Sequence, residues 1–164
     1  FLVEKFPEDA RLIRLARNVN DRMPVTVTEK IARLMEGKKS GKITILGLAY
    51  KGNVDDDRES PAVAIVRHLQ KQYPQWELGI YEPHVRSREF KTVGVEDAFR
   101  GSDLAVVLTA HDEYKFLDPA AVGGLMSRRV VLDTHNLLKS ERWVPAGFVL
   151  HVLGAGVGEA AAVR

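Results

Sequence analysis

Between residues 7 and 23, Leu12, Leu15, Ala16, Val19 and Met23 recur at helical spacing, with Arg11, Arg14, Arg17 and Arg22 falling between them. The spacing predicts an amphipathic helix that Pro24 breaks or kinks. Val27, Ile31, Leu34 and Met35 then carry a helical stripe on to a cap at Gly37. Beyond a polar linker, Lys38 to Lys42, the pattern changes to short apolar runs separated by helical or loop-like stretches. The runs are Ile43 to Leu46, Glu77 to Tyr81, Leu104 to Leu108, Val130 to Leu132 and Phe148 to Val152. Ala62, Val63, Ile65, Val66 and Leu69 mark a helix face that ends before Pro74. Shorter helices are expected at Val95 to Phe99 and Pro119 to Met126. Strands alternating with helices predict an α/β fold: a Rossmann-like open parallel sheet of about five or six strands with flanking helices, preceded by a long helical arm. Residues 1–37 form the arm and residues 38–164 the domain.

Composition narrows the function classes. With 45% hydrophobic residues among 164, the chain can build a real core. It contains no cysteine, so it carries no disulfide, no thiolate nucleophile and no zinc-thiolate site. Its 24 basic and 22 acidic side chains are interspersed, which disfavours nucleic acid and anionic membrane as partners. No apolar run approaches the roughly 20 residues that span a bilayer, and no signal peptide is visible. The first residue is Phe1, which suggests a piece of something longer, with the cytoplasm as the expected compartment.

Candidate chemistry concentrates in one loop. Gly47 to Ala62 follows the first strand and precedes a helix, the crossing at which open α/β sheets place ligands. Ser60 suits an N-cap and Pro61 the first helical turn, so the free N–H groups and positive end of that helix favour a phosphate or another anion. Lys51 offers a point charge and Arg58 a planar fork for a diphosphate. A second reading stands beside this one: Asp55, Asp56, Asp57 and Glu59 pair with Lys51 and Arg58 on a solvated turn. Neither a dinucleotide glycine fingerprint nor a phosphate-loop Gly-Lys-Ser/Thr is present. Three adjacent carboxylates point in different directions, so no metal is expected. Glu82 ends the second strand, where a turn or capping role is favoured over ribose binding. His68, His84, His111 and His151 have no ligand spacing and are given no role.

The run Gly47-Leu48-Ala49-Tyr50-Lys51-Gly52-Asn53-Val54-Asp55-Asp56-Asp57-Arg58-Glu59-Ser60-Pro61-Ala62 closely resembles the signature of the C-terminal domain of the UDP-glucose/UDP-N-acetylmannosamine 6-dehydrogenase family. Other stretches resemble the family too. They are Ala10 to Arg14 with Val19-Asn20-Asp21 and Met23-Pro24, then Ile80 to Val85, then Ser102-Asp103 with Val107-Leu108-Thr109. The resemblance covers nearly the whole chain. It implies two NAD-dependent hydride transfers that oxidise the C6 hydroxymethyl of a UDP-sugar to a carboxylate, for surface polysaccharide synthesis. Arg58-Glu59-Ser60-Pro61-Ala62 looks more like the UDP-N-acetyl-D-mannosamine branch than the UDP-glucose branch.

The resemblance further implies that NAD is bound mainly by an N-terminal domain of the same enzyme, and that a cysteine outside this chain forms the covalent intermediate. The chain alone is then expected to be inactive and to hold no catalytic residue. By the same resemblance Tyr50 and Lys51 contact the UDP-sugar, and Arg58 reaches the NAD side of the cleft. A core position at the strand end is the other reading of Tyr50. Relatives carry an arginine where this chain has His135, in Asp133-Thr134-His135-Asn136; His135 is retained as a substrate-binding candidate. The arm resembles the central helix through which these enzymes dimerise, although its arginine stripe also reads as a solvated face. The alternatives are a UDP-glucose 6-dehydrogenase domain and a non-catalytic nucleotide-binding or dimerisation module.

Overall fold

A computed structural model describes residues 10–87 and 89–155. The expected arm's residues 1–9 and the tail beyond 155 lie outside the described residues. Five strands form one parallel sheet: β1 (Gly41–Leu46), β2 (Trp76–Tyr81), β3 (Leu104–Val107), β4 (Val130–Asp133) and β5 (Val149–Val152), in the order β2-β1-β3-β4-β5. The helices are α1 (Arg11–Leu34), α2 (Pro61–Gln72), α3 (Val95–Phe99), α4 (Pro119–Leu125) and α5 (Ser140–Trp143). The α/β expectation holds, with strand ends shifted by one or two residues. Two short elements carried no usable period and were not anticipated: a 3-10 turn at Asp112–Phe116, and α5.

Alternation along the strands builds a core on each side of the sheet. Ile43, Ile45, Val106 and Leu132 face α1 and α2, where Ile31, Val63, Val66 and Leu69 are buried. Leu46, Ala105, Val107 and Val131 face the other way, onto Phe99, Tyr114, Trp143 and Phe148. A parallel sheet covered on both faces has strands that read as unbroken apolar runs, as β3 and β4 do. Thr44 is tolerated inside because its hydroxyl donates to Ala98 O at 2.8 Å.

Of the break or kink expected at Pro24, the break is not found: α1 runs through it. Proline removes only the bond from its own N–H to the Asn20 carbonyl, while the Thr28 hydroxyl donates to Pro24 O at 2.8 Å. Val27, Thr28, Ile31 and Met35 anchor the second half of α1 against α2 and the sheet. Its first half is unpacked: Leu12 is 78% exposed and Leu15 61%.

The order reverses between β1 and β3, which lie side by side although β2 separates them in sequence. Loops leaving the carboxyl ends of such a strand pair diverge and open a crevice. Here they are the Gly47 loop after β1 and the Thr109-Ala110-His111 segment after β3. The first motif of the sequence therefore sits at the switch point of the sheet.

Candidate functional site

The Gly47–Ala62 loop has two parts of different construction. In the first, the chain turns at Gly47, whose φ of +98° is open to glycine and where any Cβ would collide with Thr109. Leu48 and Ala49 are buried. Their N–H groups donate to one oxygen of Glu82, Oε2, at 2.6 and 3.1 Å. The Ala49 carbonyl accepts from the Thr109 hydroxyl at 2.9 Å and from the Ser60 hydroxyl at 3.2 Å. Gly52 is pressed against the Ala110 carbonyl, where a Cβ has no room. Asn53, at φ +62°, uses the tolerance of asparagine for the left-handed region. Its side chain donates to Asp112 Oδ2 at 2.7 Å and accepts the Asp112 N–H at 3.0 Å.

Glu82 is the hub. Its side chain is fully shielded, and besides the two loop amides it accepts the His84 and Val85 N–H groups on Oε1 at 2.7 and 3.2 Å. His111, equally shielded, lies with Nε2 3.0 Å from Glu82 Oε2. His111 Nδ1 accepts the Asn53 N–H at 2.9 Å, so the ring proton belongs on Nε2 and points at the carboxylate. Burial pushes the Glu82 pKa up, but the bonds from His111, Leu48 and His84 outweigh it and hold the group at about 2. Glu82 thus takes the turn role expected of it. The reading that gave His111 no role is overturned. Its partners stand 29 and 58 residues away in sequence, beyond the reach of any local spacing rule. The available signal was its place in Thr109-Ala110-His111-Asp112, at the carboxyl end of the strand beside β1.

The second part of the loop is exposed and held locally. Arg58 grips Asp56 through Nε and Nη2 at 2.9 and 2.8 Å, while the Arg58 N–H donates to the same carboxylate at 3.0 Å. Asp56 is held at a pKa of about 2, chiefly by that guanidinium. The ion pairing of the solvated-turn reading therefore holds for Arg58, whereas Lys51 is exposed with no ion pair among the described residues. The exposed Arg58 side chain bounds an 840 Å³ groove between the loop, the start of α2 and the Arg17–Pro24 segment of α1. Ser60 caps α2 by accepting the Ala62 N–H at 3.1 Å.

Tyr50 and Lys51 stand at the apex of the first part. Tyr50 is 59% exposed, which removes the core reading, and its ring lines the same groove. Tyr50, Lys51 and Arg58 thus share one loop. His135 lies at the end of β4, exposed at one side and shielded at the other, its backbone N–H donating to buried Asp133 at 2.9 Å and its Nδ1 within 2.9 Å of the Thr134 hydroxyl. Desolvation of the ring lowers its pKa below the ordinary imidazole value, favouring the neutral form. No hydrogen bond or ion pair joins His135 to Lys51 or Tyr50.

Among the described residues one group of side chains has metal-ligand types close together: His84, His111 and Glu113, with ligand atoms within 4.8 Å of one another. His111 Nδ1 accepts the Asn53 N–H and its Nε2 faces Glu82, so His111 offers no free lone pair to an ion. No helix among the described residues is long and apolar enough to cross a membrane.

Residues 44–140 match the UDP-glucose/GDP-mannose dehydrogenase family, UDP binding domain. UDP-N-acetyl-D-mannosamine dehydrogenase of Methanocaldococcus jannaschii is 41% identical over 159 residues, covering 95% of this chain and 36% of that protein. An NDP-N-acetyl-D-galactosaminuronic acid dehydrogenase of Ralstonia solanacearum is 36% identical over 87% of the chain and 34% of that protein. Among solved structures, the UDP-N-acetyl-mannosamine dehydrogenase Cap5O from Staphylococcus aureus superposes with a TM-score of 0.77 at 31% identity, covering 93% of this chain and 35% of that one. The chain spans about a third of the length of these relatives.

Proposed function

Because the chain belongs to the UDP-glucose/GDP-mannose dehydrogenase family, we propose that it is the UDP-sugar-binding part of an NAD-dependent nucleotide-sugar 6-dehydrogenase, with UDP-N-acetyl-D-mannosamine as the sugar nucleotide. The observation that carries the reading is the construction of the loop. A rigid, buried base lifts Tyr50 and Lys51, both exposed, at the switch-point crevice, and leaves the Lys51 ammonium without a counter-ion among the described residues. Such a base fixes the site for a cation without neutralising it. The diphosphate is the ligand group this suits, with Lys51 as its point charge and the amino end of α2 nearby. Tyr50 offers a ring face and a hydroxyl to the rest of the nucleotide sugar.

Arg58 faces the groove in an exposed pair with Asp56, and such pairs are held by little energy. It is therefore free to exchange Asp56 for a cofactor phosphate, which supports its assignment to NAD. NAD supplies the hydride acceptor; its main binding domain and the covalent nucleophile belong to parts of the enzyme outside these residues. What this chain contributes is binding and orientation. His135 is the third substrate contact, a neutral donor or acceptor where the family resemblance implies an arginine. The names carried by the relatives at 41% and 31% identity support the mannosamine branch. The bare apolar residues of α1, Leu12, Ile13, Leu15 and Val19, support residues 1–37 as the homodimer arm beside the 38–164 domain. The compartment that goes with this reading is the cytoplasm.

Calorimetric titration with UDP tests the reading. The chain is expected to bind UDP, and Lys51→Ala to weaken binding at least about tenfold, the loss of one charge-assisted contact. Equal binding by both proteins would remove Lys51 from the site.

A further inference from the structure

The apex carrying Tyr50, Lys51 and Gly52 is only three residues long, and both of its ends are fixed by one buried pair. Glu82 takes the Leu48 and Ala49 N–H groups on the entry side, and His111 takes the Asn53 N–H on the exit side. The two side chains meet at 3.0 Å with neither exposed to solvent. The pair also spans the carboxyl ends of three strands: Glu82 follows β2, His111 follows β3, and the loop follows β1. Apolar side chains of similar volume would fill this space without the desolvation cost of a buried carboxylate. What they could not do is set the orientation of three backbone amides in one short segment. We propose that Glu82 and His111 are positioning residues, which hold the Leu48–Asn53 segment in the shape that presents Lys51 and Tyr50 to the nucleotide. The inference rests on the UDP-binding reading of those two side chains.

The two ring nitrogens of His111 can be separated by substitution. His111→Asn places an amide oxygen near the Nδ1 position and keeps an acceptor for the Asn53 N–H. His111→Gln places its amide near Nε2, keeps the donor to Glu82, and leaves the Asn53 N–H unpaired. Each variant is titrated with UDP beside the unsubstituted chain and Lys51→Ala, and amide hydrogen exchange is followed in the absence of UDP. The expected result for His111→Gln is UDP binding weakened about tenfold, as for one lost buried hydrogen bond, with exchange accelerated at Asn53 but not at Val106 in β3. The expected result for His111→Asn is recovery of both to within about twofold of the unsubstituted chain. Undiminished UDP binding by His111→Gln, alongside its loss in Lys51→Ala, would overturn the positioning role and leave the site reading standing. Accelerated exchange at Asn53 and Val106 alike in both variants would also overturn it, since that is the mark of a purely structural residue. Absence of UDP binding by the unsubstituted chain would overturn the site reading and this inference together.

Discussion

The two parts of the Gly47–Ala62 loop are continuous in sequence and are built on opposite principles. Leu48 to Asn53 is bolted from beneath by a buried carboxylate, an imidazole and the Thr109 hydroxyl, all from elsewhere in the fold, and by the Ser60 hydroxyl at the loop's own end. Val54 to Glu59 is held by its own Asp56–Arg58 pair at the surface and by backbone bonds, the Tyr50 N–H donating to Asp56 O at 2.7 Å and the Ser60 N–H to Asp57 O at 3.1 Å. Long-range anchoring makes the Lys51 segment a fixed platform. Local pairing makes the Arg58 segment an exchangeable one.

The largest expected effect comes from removing the hub. Glu82→Ala leaves four backbone N–H groups and His111 without their acceptor and should lower stability by about 3–5 kcal/mol in urea unfolding. Acid gives the same information without a substitution. The folded pKa of Glu82, at about 2, lies below its ordinary 4.5, so its contribution is complete above pH 4.5 and drains away as pH falls towards 2. The size of the shift corresponds to about 3 kcal/mol over that window. A thermal midpoint that is flat between pH 5 and about pH 2 would show that the bolt contributes nothing.

Next in size is the packing of the first part against β3. Gly52→Ala drives a methyl into the Ala110 carbonyl and should cost about 1–3 kcal/mol, read by chemical denaturation. The smallest effect belongs to the second part. Arg58→Ala breaks a surface pair and should leave the unfolding midpoint unmoved. A clear drop would erase the contrast between the two parts.

How much of this was legible in the sequence follows from the range of the interactions. Periodicity found β1 to β5 and α2 to α4 because burial against the sheet acts on every second or every third and fourth residue. At Pro24, where one missing N–H predicts a break or a kink, there is no break, and the packing of Val27, Ile31 and Met35 holds the following half of the helix. Ser60 and Pro61 announced the start of α2 from two adjacent positions. The Glu82–His111 pair was out of reach, since its members and Asn53 come from three separate strand ends. The acidic run Asp55–Asp57 did not reveal which carboxylate takes Arg58; the turn geometry chose Asp56.

The measurement that tests the central claim most directly is a UDP titration of the isotope-labelled chain followed residue by residue through its amide resonances. The account predicts saturable shifts concentrated at Leu48 to Asn53, extending to His135, with the surface around Lys139 and Arg142 unaffected. Shifts confined to that other surface, or none at the Lys51 segment, would contradict it.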